Sequence, residues 1–172
     1  MNRLKIILIS FLFSACAFPQ FSFKSGGSET KEIDAKTVQV DYFDNKSAIG
    51  GPFLGASFTE SLRDIMQAQT KLNLVAKNGD LQISGIIKDY LIIPVNIQAG
   101  SESAAQNRLK MSVSVDTYYK KNDSIGLNKS LFSAFVDYNA SSDFTTVEEE
   151  LVENLNYQIT QDVFDKIFGG EW

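Results

Sequence analysis

Leu109-Lys-Met-Ser-Val-Ser-Val-Asp-Thr-Tyr-Tyr119 is the stretch that decides the fold of this chain. Leu109, Met111, Val113, Val115, Thr117 and Tyr119 fall on one side of an extended strand, and Lys110, Ser112, Ser114 and Asp116 fall on the other. Side chains on a strand alternate with a period of two, so the pattern describes one buried and one polar sheet face. Such a sheet needs a second layer over its apolar face.

The flanking segments supply the rest of the sheet. Leu81–Val95 is a long β-rich run, interrupted by Gly85 and ended by Pro94, and residues 100–107 form a polar loop. Lys121-Asn-Asp-Ser-Ile-Gly126 turns into a further strand over about residues 129–138. Nearer the N-terminus, residues 37–43 alternate, with Val38, Val40 and Tyr42 on one face and Gln39 and Asp41 on the other. Leu72, Leu74 and Val75 predict a short strand, and Asn78-Gly79 is a hairpin signal leading into Leu81.

Two helices complete the pattern. Ser57-Phe-Thr-Glu60 reads as a capping box, and Phe58, Leu62, Ile65 and Met66 then share one helical face up to about Thr70. Thr146-Val-Glu-Glu149 reads as a second capping box, with Glu148, Glu149 and Glu150 at the positive end of the helix dipole. Leu151, Leu155, Ile159, Val163 and Ile167 recur every four residues, Lys166 lies in the last turn, and Gly169-Gly170 ends the helix. The order β-α-β-β-β-β-α with local antiparallel pairing predicts an α+β sandwich, its helices on one sheet face. No internal repeat is present.

Ahead of this domain, residues 37–172, lies a different kind of sequence. Arg3 and Lys5 precede an apolar run over residues 6–13, then small Ser14 and Ala15, then Cys16, the only cysteine. The run is too short for a bilayer, which needs about 20 apolar residues. It reads as a secretory signal, residues 1–15. A cysteine directly after the small residues is a bacterial lipobox, so Cys16 is expected to be acylated and to become the mature N-terminus. Phe13 stands where a Leu is usual. Residues 16–36 read as the lipidated N-terminus and a tether, with Phe18, Phe21 and Phe23 first and the Gly-containing Ser25-Gly-Gly-Ser-Glu29 after. The early aromatics suggest a tether that is partly docked.

Composition narrows the function. Without residues 1–15, 157 of the 172 residues remain, with 14 basic against 21 acidic side chains and a net charge of about −7. That balance argues against nucleic-acid binding. With Cys16 acylated, no thiol remains for disulfides, metal or catalysis. The chain has no histidine, hence no Ser-His or Cys-His pair and no imidazole acid–base group. Ser28-Glu-Thr-Lys31 matches a serine–lysine motif in letters but lies in the tether. Gly50-Gly-Pro-Phe-Leu-Gly55 lacks the Lys-Ser/Thr that completes a phosphate-binding loop. Asp80, Asp89, Asp116 and Asp137 read as turn or solvent-face residues, and successive Glu148–Glu150 point different ways on a helix. The expectation is a non-enzyme without cofactor or metal.

One asymmetry points to a ligand. Between Arg108 and Lys121 the alternating strand and its ends carry Arg108, Lys110, Lys120 and Lys121 against Asp116, whereas the last helix is acidic. Arg and Lys serve phosphate groups well. Lysines also blunt exposed sheet edges against aggregation, so the basic strand supports both readings.

The order of features resembles the LPS-assembly lipoprotein family LptE. The residues that carry the likeness are Asp80-Leu-Gln-Ile-Ser-Gly85 with Tyr90, the strand Asn107-Arg-Leu-Lys-Met-Ser-Val-Ser-Val115, and residues 147–168. The resemblance spans residues 16–168 and rests on their order and spacing. It implies a two-layer sandwich, two helices on one face of a mixed, mainly antiparallel sheet of four to five strands. It also implies a partner, the outer-membrane barrel LptD, inside which such a lipoprotein sits as a plug while assisting lipopolysaccharide transport. In that setting Arg108 and Lys110 are the expected contacts to lipid phosphates, with Lys88, Lys120 and Lys121 as further candidates chosen by charge placement. Ala17 stands where the family usually has Gly after the cysteine.

Ala17, not Asp, directly follows Cys16, and the first acid after it is Glu29. Attachment to the inner leaflet of the outer membrane is therefore expected, with the domain facing the periplasm or the barrel lumen. Several acyl chains, each worth about 0.8 kcal/mol per buried CH₂, make such anchoring stable. The alternative reading is a periplasmic lipoprotein that activates or scaffolds a peptidoglycan synthase or transporter. Roughly twenty tether residues reach only about 60–70 Å, which favours a membrane-proximal partner instead.

Overall fold

The alternating stretch forms the middle of β5 in the computed structural model, which describes residues 33–95, 105–121 and 126–169. The signal, Cys16 and most of the tether lie outside the described residues. The elements are β1 (Thr37–Val40), β2 (Asp44–Asn45), α1 (Gly51–Gln69), β3 (Asn73–Leu74), β4 (Leu81–Val95), β5 (Gln106–Tyr119), β6 (Ser130–Asn139) and α2 (Phe144–Phe168). The strands run in the order β3-β1-β4-β5-β6, and β2 pairs with β4. β1 is parallel to both β3 and β4, whereas β4, β5 and β6 form an antiparallel meander. This is a mixed α+β sandwich.

Both helices cover the same sheet face. Leu109, Met111, Val113 and Val115 of β5 are fully buried, in one core with Phe58, Leu62 and Met66 of α1 and Leu155, Ile159 and Val163 of α2. Each such side chain contributes about 1.5–3 kcal/mol on leaving water, an upper estimate. Asn156 lies buried where the helices meet, and its Nδ2 donates to Ser57 Oγ at 2.8 Å.

Both helix starts lie upstream of the sequence expectation. α1 begins at Gly51, not Ser57: Gly50 takes the left-handed conformation (φ 87°), and Pro52 falls in the first turn, where its missing N–H costs nothing. Ser57 and Glu60 are mid-helix, and Glu60 pairs with Arg63 at 2.7 Å instead of capping. α2 is capped by Asp143, whose Oδ1 accepts from the Thr145 N–H (3.0 Å) and hydroxyl (2.8 Å), so Thr146 is already helical. Its end agrees with the expectation, since the Gly169 N–H closes on the Asp165 carbonyl at 2.7 Å.

The first strand also changes phase. β1 stops at Val40, opposite Ile83, and β2 resumes with Asp44 opposite Ile86. Four steps on one side thus match three on the other, and the extra residue turns Phe43 into the core while Tyr42 is left 50% exposed. Glycines make room for that inward ring. A Cβ on Gly85 would meet the Ser114 carbonyl and stand 2.5 Å from Phe43 Cε1, and one on Gly55 would meet the Phe43 carbonyl.

Asn78-Gly79 makes a turn, with Asn78 at φ 61°, but not a hairpin. β3 and β4 lie on opposite sides of β1 and do not pair. Asp80 locks this crossing: its carboxylate accepts from the Lys36 and Thr37 N–H groups at 2.9 and 3.1 Å, and its own N–H donates to Thr37 Oγ1. These bonds, the one from Lys36 foremost, hold the carboxyl below its usual range. β4 runs past Pro94 to Val95. β2 leaves β4 at Ile87, so among the described residues the far side of residues 88–95 carries no strand that a missing N–H would disturb.

Candidate functional site

The helix-free face of the meander gathers the charged and apolar side chains that the core leaves out. Across it, Leu91 of β4, Lys110 of β5 and Phe135 of β6 stand in one row, and Ile93, Arg108 and Asp137 in the next. Leu91, Ile93 and Phe135 are 47%, 41% and 50% exposed. Closer to the start of β6, Ile86 and Leu131 flank Ser114. Large apolar side chains at this exposure, in adjacent rows and rimmed by charge, mark a contact surface.

Arg108 is fixed on this face. Its Nε and Nη2 donate to the two carboxylate oxygens of Asp137 at 2.7 and 2.8 Å, and its guanidinium lies 3.7 Å from the centre of the Phe135 ring. The pairing lowers the Asp137 carboxyl and raises Arg108 further above the pH range of interest. Such a planar stacked fork keeps donors for a second acceptor. Lys110, one row away, makes no ion pair or hydrogen bond to any described residue and is half-buried between its apolar neighbours. Arg108 is therefore a positioned cation and Lys110 an uncommitted one.

The other basic candidates do not join them. Lys120 and Lys121 lie at the opposite end of β5, ten residues from Lys110 and so about 33 Å away along the strand. There Lys120 Nζ donates to the Asn78 carbonyl and Lys121 pairs with Asp34. Lys88 occupies the irregularity in β4 between Ile87 and Asp89. Cys16 lies outside the described residues. Of the acidic candidates, Asp80, Asp116 and Asp137 are all engaged, Asp116 accepting from the Lys129 N–H at 2.8 Å.

A buried tyrosine holds the distal part of β4 in place. Tyr90 is fully buried, and its hydroxyl donates to Glu148 Oε1 of α2 at 3.0 Å. Burial, then this bond, raises the phenol far above its ordinary range. Among the described residues no three His, Cys, Asp or Glu side chains could hold a metal, and no helix is long and apolar enough to cross a membrane.

The apolar half of this face was missed in the sequence reading, which selected cations alone. Its signal lies in Leu131-Phe132 and Phe135-Val136, where adjacent apolar residues on one strand require both faces to be apolar.

Fold and face together define a two-layer α+β module with an amphipathic, cation-bearing sheet surface. The chain belongs to the LptE family, described as lipopolysaccharide-assembly, whose model matches residues 35–168. No curated protein matches the sequence. Among solved structures, it is similar to a hypothetical protein from Chlamydia trachomatis, with TM-score 0.52 and 8% identity over 76% of this chain and 94% of that one. A minor lipoprotein from Acinetobacter baumannii matches at TM-score 0.45 and 13% identity, covering 78% and 96%. The rare lipoprotein B from Shewanella oneidensis matches at 0.44 and 10%, covering 75% and 90%.

Proposed function

We propose that this chain is an outer-membrane lipoprotein, anchored through acylated Cys16, that acts as plug and assembly partner of an LptD-type barrel. In this role it binds lipopolysaccharide and assists its insertion without bond chemistry. Membership of the lipopolysaccharide-assembly family over residues 35–168 supports the assembly role and the barrel partner. The observation that carries the lipid reading is the row Leu91–Lys110–Phe135, where a cation with no partner among the described residues stands between exposed apolar side chains. An anionic amphiphile needs that combination: Lys110 and the outer donors of Arg108 for its phosphates, the flanking side chains for its acyl chains. Charged groups also sit at low cost inside a polar barrel lumen.

The lipid role is tested by Arg108→Glu with Lys110→Glu in the purified chain. Binding of lipopolysaccharide should fall at least tenfold while circular dichroism and barrel co-purification hold. Unchanged binding would remove this site from the account. Recovery of cytoplasmic-membrane synthases or transporters in place of one large barrel from detergent extracts would overturn the partner.

A further inference from the structure

The sheet has an edge that lacks the usual protection. Among the described residues nothing pairs with the far side of β6. Exposed edges are normally kept short or blunted with bulges, prolines or lysines. The other edges here follow that rule: β3 has two residues, and the open part of β4 carries the irregularity after Ile87 and Pro94. β6 follows none of it. Ser130-Leu-Phe-Ser-Ala-Phe-Val-Asp-Tyr-Asn139 pairs with β5 in unbroken register and contains no proline, glycine or lysine. Its only charge, Asp137, is held by Arg108. Leu131 and Phe135 stand 58% and 50% exposed beside a row of free backbone groups. An edge of this composition is built to receive a strand.

We infer that the strand is the chain's own segment Phe18-Pro-Gln-Phe-Ser-Phe-Lys24, added antiparallel to β6 with Phe23 beside Leu131 and Phe21 beside Ser133, between Leu131 and Phe135. Three features on the page select this occupant. The segment alternates Phe21-Ser-Phe23, the period of a strand with one apolar side. Its point of entry is fixed, because the Tyr119 hydroxyl donates to the Asp34 carbonyl at 2.7 Å and Lys121 pairs with Asp34. That is the end of β5 from which β6 starts, since Thr117 exchanges hydrogen bonds with Leu127 just before it. A segment descending to Asp34 therefore runs opposite to β6.

The reach also suffices. Leu131, paired with Ser114, lies one strand over and five residues along β5 from Tyr119, roughly 20 Å. The ten residues from Phe23 to Ile33 span up to about 33–36 Å. Pro19, which cannot donate to a ladder, falls near the far end of the added strand. Cys16 then leaves beside the start of α2, and the lipid anchor holds the domain close to the bilayer. This inference does not depend on the lipid-binding reading.

The test uses the full chain purified from membranes. A photoreactive phenylalanine analogue at position 21 or 23 should cross-link within one chain to β6, residues 131–135. Hydrogen exchange should show the β6 amides that β5 leaves unpaired slowing at least tenfold relative to Phe21→Ser with Phe23→Ser, with β4 and β5 unchanged. Cross-linked dimers, adducts only to lipid or to other surfaces of the domain, or equal exchange in the two proteins would each overturn the proposal. The cross-link needs no core substitution, so misfolding cannot mimic either result.

Discussion

The two faces of β5 are made from neighbouring residues and solve opposite problems. Facing the helices, Leu109, Met111, Val113 and Val115 are wholly shielded from water, and their chemistry is uniform. On the other face Arg108, Lys110, Ser112 and Ser114 mix charge, hydroxyl and aliphatic stem, with exposed Leu91 and Phe135 on either side. The first face is specified by packing alone. On the second, Phe135 stacks on Arg108, but nothing among the described residues covers Leu91 and Ile93 or pairs with Lys110, so that part of the face is best understood through what binds it. A one-residue slip of β5 would exchange the faces, which is why the strict alternation there fixes the register.

Truncating one residue on each face gives the widest contrast. Met111→Ala should lower the free energy of unfolding by about 2–5 kcal/mol, because the closed core cannot collapse onto the cavity. Lys110→Ala should stay within about 0.5 kcal/mol, as surface changes without structural partners do. Urea unfolding of the two variants checks this. Similar losses would mean that the helix-free face is part of the folding core.

Tyr90 tests whether the buried face tolerates a polar group only when it is paired. Tyr90→Phe removes the donor to Glu148 and should cost about 1–2 kcal/mol near neutral pH, in the range for a bond to a charged acceptor. The pH dependence has a definite sign. The folded state holds the phenol protonated to higher pH than the unfolded chain does. Its contribution is complete below the unfolded value of about 10 and is lost as pH rises beyond it. The deficit of Tyr90→Phe should therefore shrink in alkaline denaturation curves. A constant gap between the proteins would break this account.

The contrast between the faces also explains what was legible beforehand. Period-two alternation over Leu109–Tyr119 and the four-residue recurrence from Leu151 to Ile167 are long patterns set by burial, and both elements formed where they predict. Short signals fared worse. Ser57…Glu60 and Thr146…Glu149 satisfy a capping pattern in letters, yet Gly50–Pro52 and Asp143 had already started the helices. Asn78-Gly79 specifies a turn but carries no information about β1, which lies between the strands that the turn connects. The phase change that buries Phe43 depends on Gly85 of a distant strand. At the candidate site, charge was visible in sequence. The division of the basic residues between opposite ends of β5, and the Asp137 fork that occupies Arg108, required the register of three strands.

The finest distinction between the faces lies in one hydroxyl pair. Ser112 is 2% exposed although it belongs to the helix-free face, and its hydroxyl is 2.9 Å from that of exposed Ser133 on β6. The two partners have unequal alternatives. If Ser112 is truncated, Ser133 turns to water and little is lost. If Ser133 is truncated, the Ser112 hydroxyl keeps its burial and loses its partner, and an unsatisfied buried hydroxyl costs about 1 kcal/mol or more. Ser133→Ala should therefore destabilise more than Ser112→Ala, and the double substitution should match Ser112→Ala, with the excess cancelling in a double-mutant cycle. Equal single effects would show that water reaches Ser112, and the helix-free face would then be wetter than its burial indicates.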